Sequence, residues 1–218
     1  MRMNHHPKDE TLAAYAAGAL DEAQSIVMAT HLAMCLVCRR AVADFEAVGG
    51  ACVGAIEPEA MSAGSLARFW ERAGPQQRGL PAAPAETGGD VRIPEALRAH
   101  IAGKFEAVEW RPVFKGFSQA VLEAKGYRAG ALRLLKIEPG MGIPKHSHRG
   151  GEFTLILQGA YEDELGVFGP GDFADLDRDD VHSPLAIGDE SCICLIATNA
   201  PLVFSGLLEK VAQRFIGL

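Results

Sequence analysis

Two groups of side chains in this sequence have the types and spacings of metal ligands. In the segment HLAMCLVC, His31, Cys35 and Cys38 follow the pattern H-x3-C-x2-C. On a helix, residues four apart share a face and a third residue three further on stays near it, so one imidazole and two sulfurs converge. Such a trio suits a closed tetrahedral zinc site, which takes a fourth Cys or His donor from elsewhere. His5 and His6 are the nearby residues able to supply it. Taken singly, each residue would suit an apolar core equally well, because free cysteine packs as a small hydrophobe. The combination is what points to metal.

The second group lies in GMGIPKHSHRGGEFTLILQG, where His146 and His148 alternate and Glu152 follows four residues later. On a strand both imidazoles point to the same face. His182, in DDVHSP, stands just before the apolar run SCICLIAT, where a neighbouring strand would deliver it to the same cavity. Three nitrogens and a carboxylate suit zinc, iron, manganese or nickel. Cys192 and Cys194 are a different matter. Residues i and i+2 of a strand share a face but lie roughly 6.5 to 7 Å apart at Cα, at or past the limit for an unstrained disulfide. Core packing is the expectation for both.

The elements that must position these groups fall into two halves. DETLAAYAAG, DEAQSIVMATHLAMC and LVCRRAVADFEAVGG read as helices, with Gly18 and Gly49-Gly50 as stops and Asp21 with Gln24 as an N-cap pair. A fourth helix, SAGSLARFWERAG, carries Leu66, Phe69 and Trp70 as one apolar stripe at i, i+3 and i+4. The Pro-, Gly- and Ala-rich stretch from Pro75 onward has the composition of a flexible linker. This divides the chain into a helical domain (residues 1–74), a linker (75–92) and a second domain (93–218). After a short helix near PEALRAHIAG, the second domain alternates brief apolar runs with Gly-rich turns, the pattern of an antiparallel sandwich or barrel. GLLEKVAQRFIGL has helical spacing and is expected to pack back on it. The fold class is therefore α+β and multidomain, a small α-helical bundle followed by an all-β barrel.

Composition excludes several roles. A net charge of −7 spread over both halves lacks the basic footprint of a nucleic-acid binder. No apolar run approaches a membrane span, and MRMNHHPKDE lacks the layout of a signal peptide, so the expectation is a cytoplasmic protein. Five cysteines with one Cys-x-x-Cys fit thiolate metal binding in a reducing compartment better than a disulfide framework. Thioredoxin-like chemistry at Cys35-Cys38 lacks the strand-turn-helix setting it needs. A helical domain of this size also benefits from a metal staple, since below roughly 70 to 80 residues one core rarely supplies more than about 3 to 5 kcal/mol.

His6, His31, Cys35 and Cys38 resemble the zinc-binding anti-sigma domain: a histidine, a long spacer, then H-x3-C-x2-C. That resemblance implies a small helical bundle that binds an extracytoplasmic-function-type sigma factor 1:1 and blocks its surfaces for core RNA polymerase and promoter. Leu66, Phe69 and Trp70 would form part of the grip. The second half resembles the cupin first motif over its full length: Gly140, five residues, His146-x-His148, three residues, Glu152, six residues, Gly159. The second cupin motif is looser, with nine residues between Pro170-Gly171-Asp172 and His182 and no closing asparagine. Cupins are double-sheet barrels.

The whole chain, from the HH start through AYAAGAL, ATHLAMCLVC, LILQGAY and CICL to QRFIGL, resembles the ChrR family of cupin-containing zinc anti-sigma factors. The resemblance implies zinc at His6, His31, Cys35 and Cys38, and a second zinc or other divalent metal at His146, His148, Glu152 and His182. It implies release of the sigma factor in response to singlet oxygen or related oxidants sensed through the cupin, with no direct contact to nucleic acid or membrane. His5, His100 and Cys52 have no partners at ligand spacing. The alternative is a cupin metalloenzyme, a dioxygenase using Fe(II) at the barrel ligands with the helical head as a tether.

Overall fold

The computed structural model describes residues 3–73, 93–98, 100–101, 105–124, 131–200 and 202–204. The expected linker and the expected terminal helix over residues 206–218 lie outside the described residues.

An extended segment leads into α1 (Asp9–Ala16), α2 (Glu22–Met34), α3 (Leu36–Gly54) and α4 (Ser65–Ala73). Asp21 caps α2 as expected, its carboxylate accepting the Gln24 N–H at 2.8 Å. Gly18 ends α1 by adopting φ 66°, the left-handed conformation that glycine reaches without a Cβ clash. Gly49 and Gly50 behave differently: α3 runs through both and closes only at Ala55. A glycine weakens a helix by about 1 kcal/mol without forbidding it, and neither residue takes the positive φ that a stop requires. No single helix among the described residues is long and apolar enough to cross a membrane.

A short helix, α5 (Glu95–Arg98), and a 3-10 turn over Phe105–Ala107 precede twelve strands. These are β1 (Arg111–Phe114), β2 (Phe117–Leu122), β3 (Ala131–Ile137), β4 (His146–His148), β5 (Glu152–Gln158) and β6 (Ala160–Asp163). They continue as β7 (Gly166–Phe168), β8 (Phe173–Leu176), β9 (Val181–His182), β10 (Leu185–Ile187), β11 (Cys192–Thr198) and β12 (Leu202–Phe204). A six-stranded sheet has the order β1-β2-β3-β11-β5-β8, and two three-stranded sheets have the orders β10-β6-β7 and β12-β4-β9. Every named pairing is antiparallel. This is the double-sheet architecture expected from the strand spacing.

The central strands β5 and β11 of the large sheet are buried on both faces, which is why CICLIAT and EFTLIL read as continuous apolar runs rather than alternating ones. Its two faces feed different cores. Leu155, Ile193 and Leu195 point into a core shared with Val27, Met28 and Leu32 of α2 and with Leu97 of α5. Ile156, Cys192 and Cys194 point the other way, into a core closed by Tyr161, Phe168 and Ala186 of the β10-β6-β7 sheet. The described residues on either side of 74–92 thus share one hydrophobic core, with α2 lying across the outer face of the barrel.

Candidate metal centres

The four donors of the first group come from four successive places along the chain. His6 lies in the extended segment before α1, His31 in the last turn of α2, Cys35 between the helices and Cys38 in the first turn of α3. The expected break between the two helices falls here, but α2 and α3 meet at 118°, so Cys38 does not share one helix face with His31 and Cys35. Cys35 sits in the elbow in an extended conformation, φ −111° and ψ 108°. It still donates its N–H to the His31 carbonyl at 2.8 Å, which keeps residues 31 and 35 adjacent. Its sulfur then acts as N-cap of α3, accepting the Cys38 N–H at 3.5 Å. The spacing x3 closes the last turn of one helix and x2 opens the first turn of the next.

The donor atoms form a compact cage. His31 Nε2 is 3.3 Å from Cys38 Sγ, and His6 Nδ1 is 3.5 Å from Cys35 Sγ and 3.3 Å from Cys38 Sγ. A tetrahedral zinc with bonds of roughly 2.0 to 2.3 Å separates its donors by roughly 3.3 to 3.8 Å, so the observed edges match. His31 is fully buried, and burial lowers its pKa to about 4, which keeps the imidazole neutral and its lone pair available. Nδ1 of the same ring donates to the Gly171 carbonyl at 3.1 Å, leaving Nε2 to face the sulfurs. Burial, reinforced by Cys35, pushes the Cys38 thiol up to about 12.

The second group is set by strand register. His146 and His148 stand on β4, and β9 pairs with β4 so that His182 lies directly opposite His146. The looser second cupin motif still delivers His182 to the cavity. Glu152 begins β5, and all four side chains are at most 4% exposed. His146 Nε2 and His182 Nε2 are 3.1 Å apart, and Glu152 Oε1 is 4.0 Å from His182 Nε2. Two outer partners fix the rings: His146 Nδ1 donates to the Pro144 carbonyl at 2.8 Å, and His182 Nδ1 to the buried carboxylate of Asp163 at 2.9 Å. This aims both Nε2 atoms inward, as in ligand histidines generally. Burial lowers His146 to about 4.

Three polar atoms of this group are buried with no hydrogen-bond partner: His148 Nδ1, His148 Nε2 and Glu152 Oε2. His148 Nδ1 and Glu152 Oε2 approach to 3.3 Å without hydrogen-bond geometry. Orphaned polar atoms at this depth cost about 1 to 3 kcal/mol each, and a cation at the centre would satisfy them. The Glu152 pKa is nonetheless lowered: burial acts to raise it, but the imidazoles around it, His148 first, outweigh that. Among the described residues, these two groups each place four donor atoms within 4.8 Å of one another. Both sets could hold a metal ion.

The remaining candidates behave as their surroundings dictate. Cys192 and Cys194 lie in the inner core, and the Cys194 thiol is held well above its ordinary range by the neighbouring Cys192 and by burial. Cys52 is exposed on α3. Leu66, Phe69 and Trp70 are 63%, 53% and 53% exposed, and α4 has no buried residue. Sequence reasoning missed Asp163, whose run GAYEDELG carries no signal for an imidazole 19 residues away. It also missed the Gly171 carbonyl, because a main-chain contact to His31 has no sequence signature.

Comparison with known proteins now places the chain. Residues 98–201 match the family model described as the ChrR cupin-like domain. The chain is 43% identical over 216 residues to the anti-sigma-E factor ChrR of Cereibacter sphaeroides, covering 99% of both proteins. It also matches the crystal structure of Rhodobacter sphaeroides SigE in complex with the anti-sigma ChrR, with a TM-score of 0.77 and 40% identity over 90% of this chain and 100% of that one. The likeness extends beyond the barrel to the helical head, so the dioxygenase alternative gives way to a regulator rather than an enzyme. A chain with this head, this barrel and this end-to-end identity belongs to the ChrR family of anti-sigma factors.

Proposed function

We propose that this protein binds an extracytoplasmic-function-type sigma factor 1:1 in the cytoplasm and keeps it from core RNA polymerase and promoter. Residues 1–74 hold the partner, residues 93–218 sense singlet oxygen or related oxidants, and 75–92 connect them. Zinc occupies His6, His31, Cys35 and Cys38, and zinc or another divalent ion occupies His146, His148, Glu152 and His182. Zinc brings Lewis acidity and cross-linking without redox chemistry of its own. The observation that carries this reading is the 43% identity to an anti-sigma factor along the whole chain. The exposed stripe on α4 supports it, since aromatic side chains left in water on a helix with no buried residue suit an interface.

The test separates binding from response. His148→Ala removes a donor buried in the barrel and far in sequence from α4, so the complex with the sigma factor should still form. Induction of the sigma factor's promoter by light plus a photosensitiser should fall severalfold in cells carrying it. Full induction in that variant, with barrel metal shown to be absent, would remove the metal site from sensing.

Metal uptake by the head should also depend on pH. The ligand is the thiolate, and Cys38, pushed up to about 12, is protonated throughout the neutral range. Binding must therefore expel at least one proton, and affinity should rise at least about tenfold per pH unit between pH 6 and 8. Calorimetry in two buffers of different ionisation enthalpy measures the protons released; a value of zero would contradict the assignment of Cys38 as a ligand.

A further inference from the structure

One turn of the barrel grips His31 and the two residues that precede His6. Gly171 supplies the carbonyl that accepts His31 Nδ1 at 3.1 Å. The next residue, Asp172, is 4% exposed. Its Oδ1 accepts the backbone N–H groups of Asn4 at 2.7 Å and His5 at 3.0 Å, while Oδ2 accepts Gly169 N–H at 2.9 Å. Phe173 N–H then donates to the His5 carbonyl at 3.1 Å, and the Phe173 ring lies edge-on to His31 with centroids 5.3 Å apart. Stacking of His5 on Phe168 at 4.1 Å adds a further hold on the residue just before His6. Gly171 is itself constrained: at φ 89°, a Cβ there would meet Met3 at 2.6 Å.

We propose that Asp172 and the Gly171 carbonyl are positioning groups for the head metal, so that the barrel completes the head site. This rests on the reading of His6, His31, Cys35 and Cys38 as ligands. The Gly171 carbonyl selects the tautomer in which His31 offers Nε2. Asp172 fixes the segment before α1 that carries His6, the one donor of the four that is exposed and belongs to no helix. Without that anchor His6 must be ordered at the moment of binding, which costs conformational entropy. Outer partners of metal ligands typically affect affinity by about 10- to 100-fold. The same turn runs directly into β8, whose Leu176 pairs with Glu152 of the barrel group, so a single four-residue strand joins the two donor sets.

Cobalt(II) titration of the full chain tests this, because sulfur-to-cobalt charge transfer reports the head alone; the barrel donors are nitrogen and oxygen. Asp172→Ala is expected to weaken cobalt binding at the head by about 10- to 100-fold and to speed its loss to a chelator. Asp172→Asn keeps one acceptor oxygen and should show a smaller loss, about three- to tenfold, below that range. Leu135→Ala, in the inner core, serves as a control matched in melting temperature and should leave head affinity unchanged. Head affinity within twofold of the unaltered chain in Asp172→Ala, or in Asp172→Asn if the alanine variant does not fold, would overturn the proposal. So would an equal loss in Leu135→Ala, which would mean general loosening. Absence of the charge-transfer band from the unaltered chain would overturn both the metal reading and this inference.

Discussion

Cys38→Ala should reduce the metal content from two ions per chain to one and release α3 from the body of the protein. The reason lies in how little else holds that helix. Of its 19 residues only Cys38 and Val42 are fully buried, with Ala41 and Phe45 partly buried against the same core, so a proposed ligand is one of its few inward anchors. Fully burying a Val-sized side chain contributes about 1.5 to 3 kcal/mol, far less than the roughly 10 to 16 kcal/mol that structural zinc supplies to small domains. α2 is in the opposite position, with seven buried residues and a face set into the barrel core. Loss of the metal should therefore unfasten α3 and α4 and leave α2 in place. Hydrogen exchange read by mass spectrometry should show protection over residues 36–54 falling at least about a hundredfold, the equivalent of about 3 kcal/mol of local stability. β3, β5 and β11 should be unchanged. His148→Ala should also remove one ion, but its donors stand on paired strands, and exchange in α3 should not respond. If Cys38→Ala lowers metal content while α3 keeps its protection, the metal is not what fastens the helix.

How far the sequence revealed this arrangement depends on the range of the interaction. Both clusters of donor side chains were legible because coordination chemistry restricts residue types, and the spacings x3, x2 and H-x-H reflect local helix and strand geometry. The break between α2 and α3 was legible, but the sharp bend there and the N-cap role of Cys35 were not, since a donor at i+4 is brought close either by a continuous helix or by a last turn followed by an N-cap. Gly49-Gly50 was misread as a stop because glycine signals one only when φ is positive, and φ is a property of the folded chain. The gap least visible in sequence concerns Pro170-Gly171-Asp172. As a motif it marks a barrel turn; in the structure it also holds His5, next to His6, and His31, the latter 140 residues distant. Contacts at that separation follow from α2 lying on the large sheet, which no local pattern encodes. His5 shows the same limit: it has no partner at ligand spacing, yet its backbone and ring fasten the N-terminal segment to the barrel.

Replacing both Phe69 and Trp70 by alanine should abolish sigma-factor binding while leaving both metals and the fold intact. The two rings contact each other edge to face, with centroids 5.0 Å apart and an interplanar angle of 72°, and together with Leu66 they make one continuous face of α4. Because no residue of α4 is buried, truncating this face removes nothing from either core. Exposed substitutions of that kind usually change stability by less than about 0.5 kcal/mol. In an interface the balance reverses, since buried aromatic anchors commonly contribute about 2 kcal/mol or more each. Two of them correspond to about 4 kcal/mol, close to a thousandfold in Kd. Titration calorimetry of the full chain against its sigma factor would measure this, with metal content and melting temperature recorded on the same samples. Such a result would separate α4 from the metal site, because Cys38→Ala should lose binding together with one ion and the order of α3, whereas the aromatic variant should lose binding alone. An affinity within threefold of the unaltered chain would move the grip elsewhere, and the exposed apolar side chains of α3, Val48 and Val53 among them, would be the next surface to test.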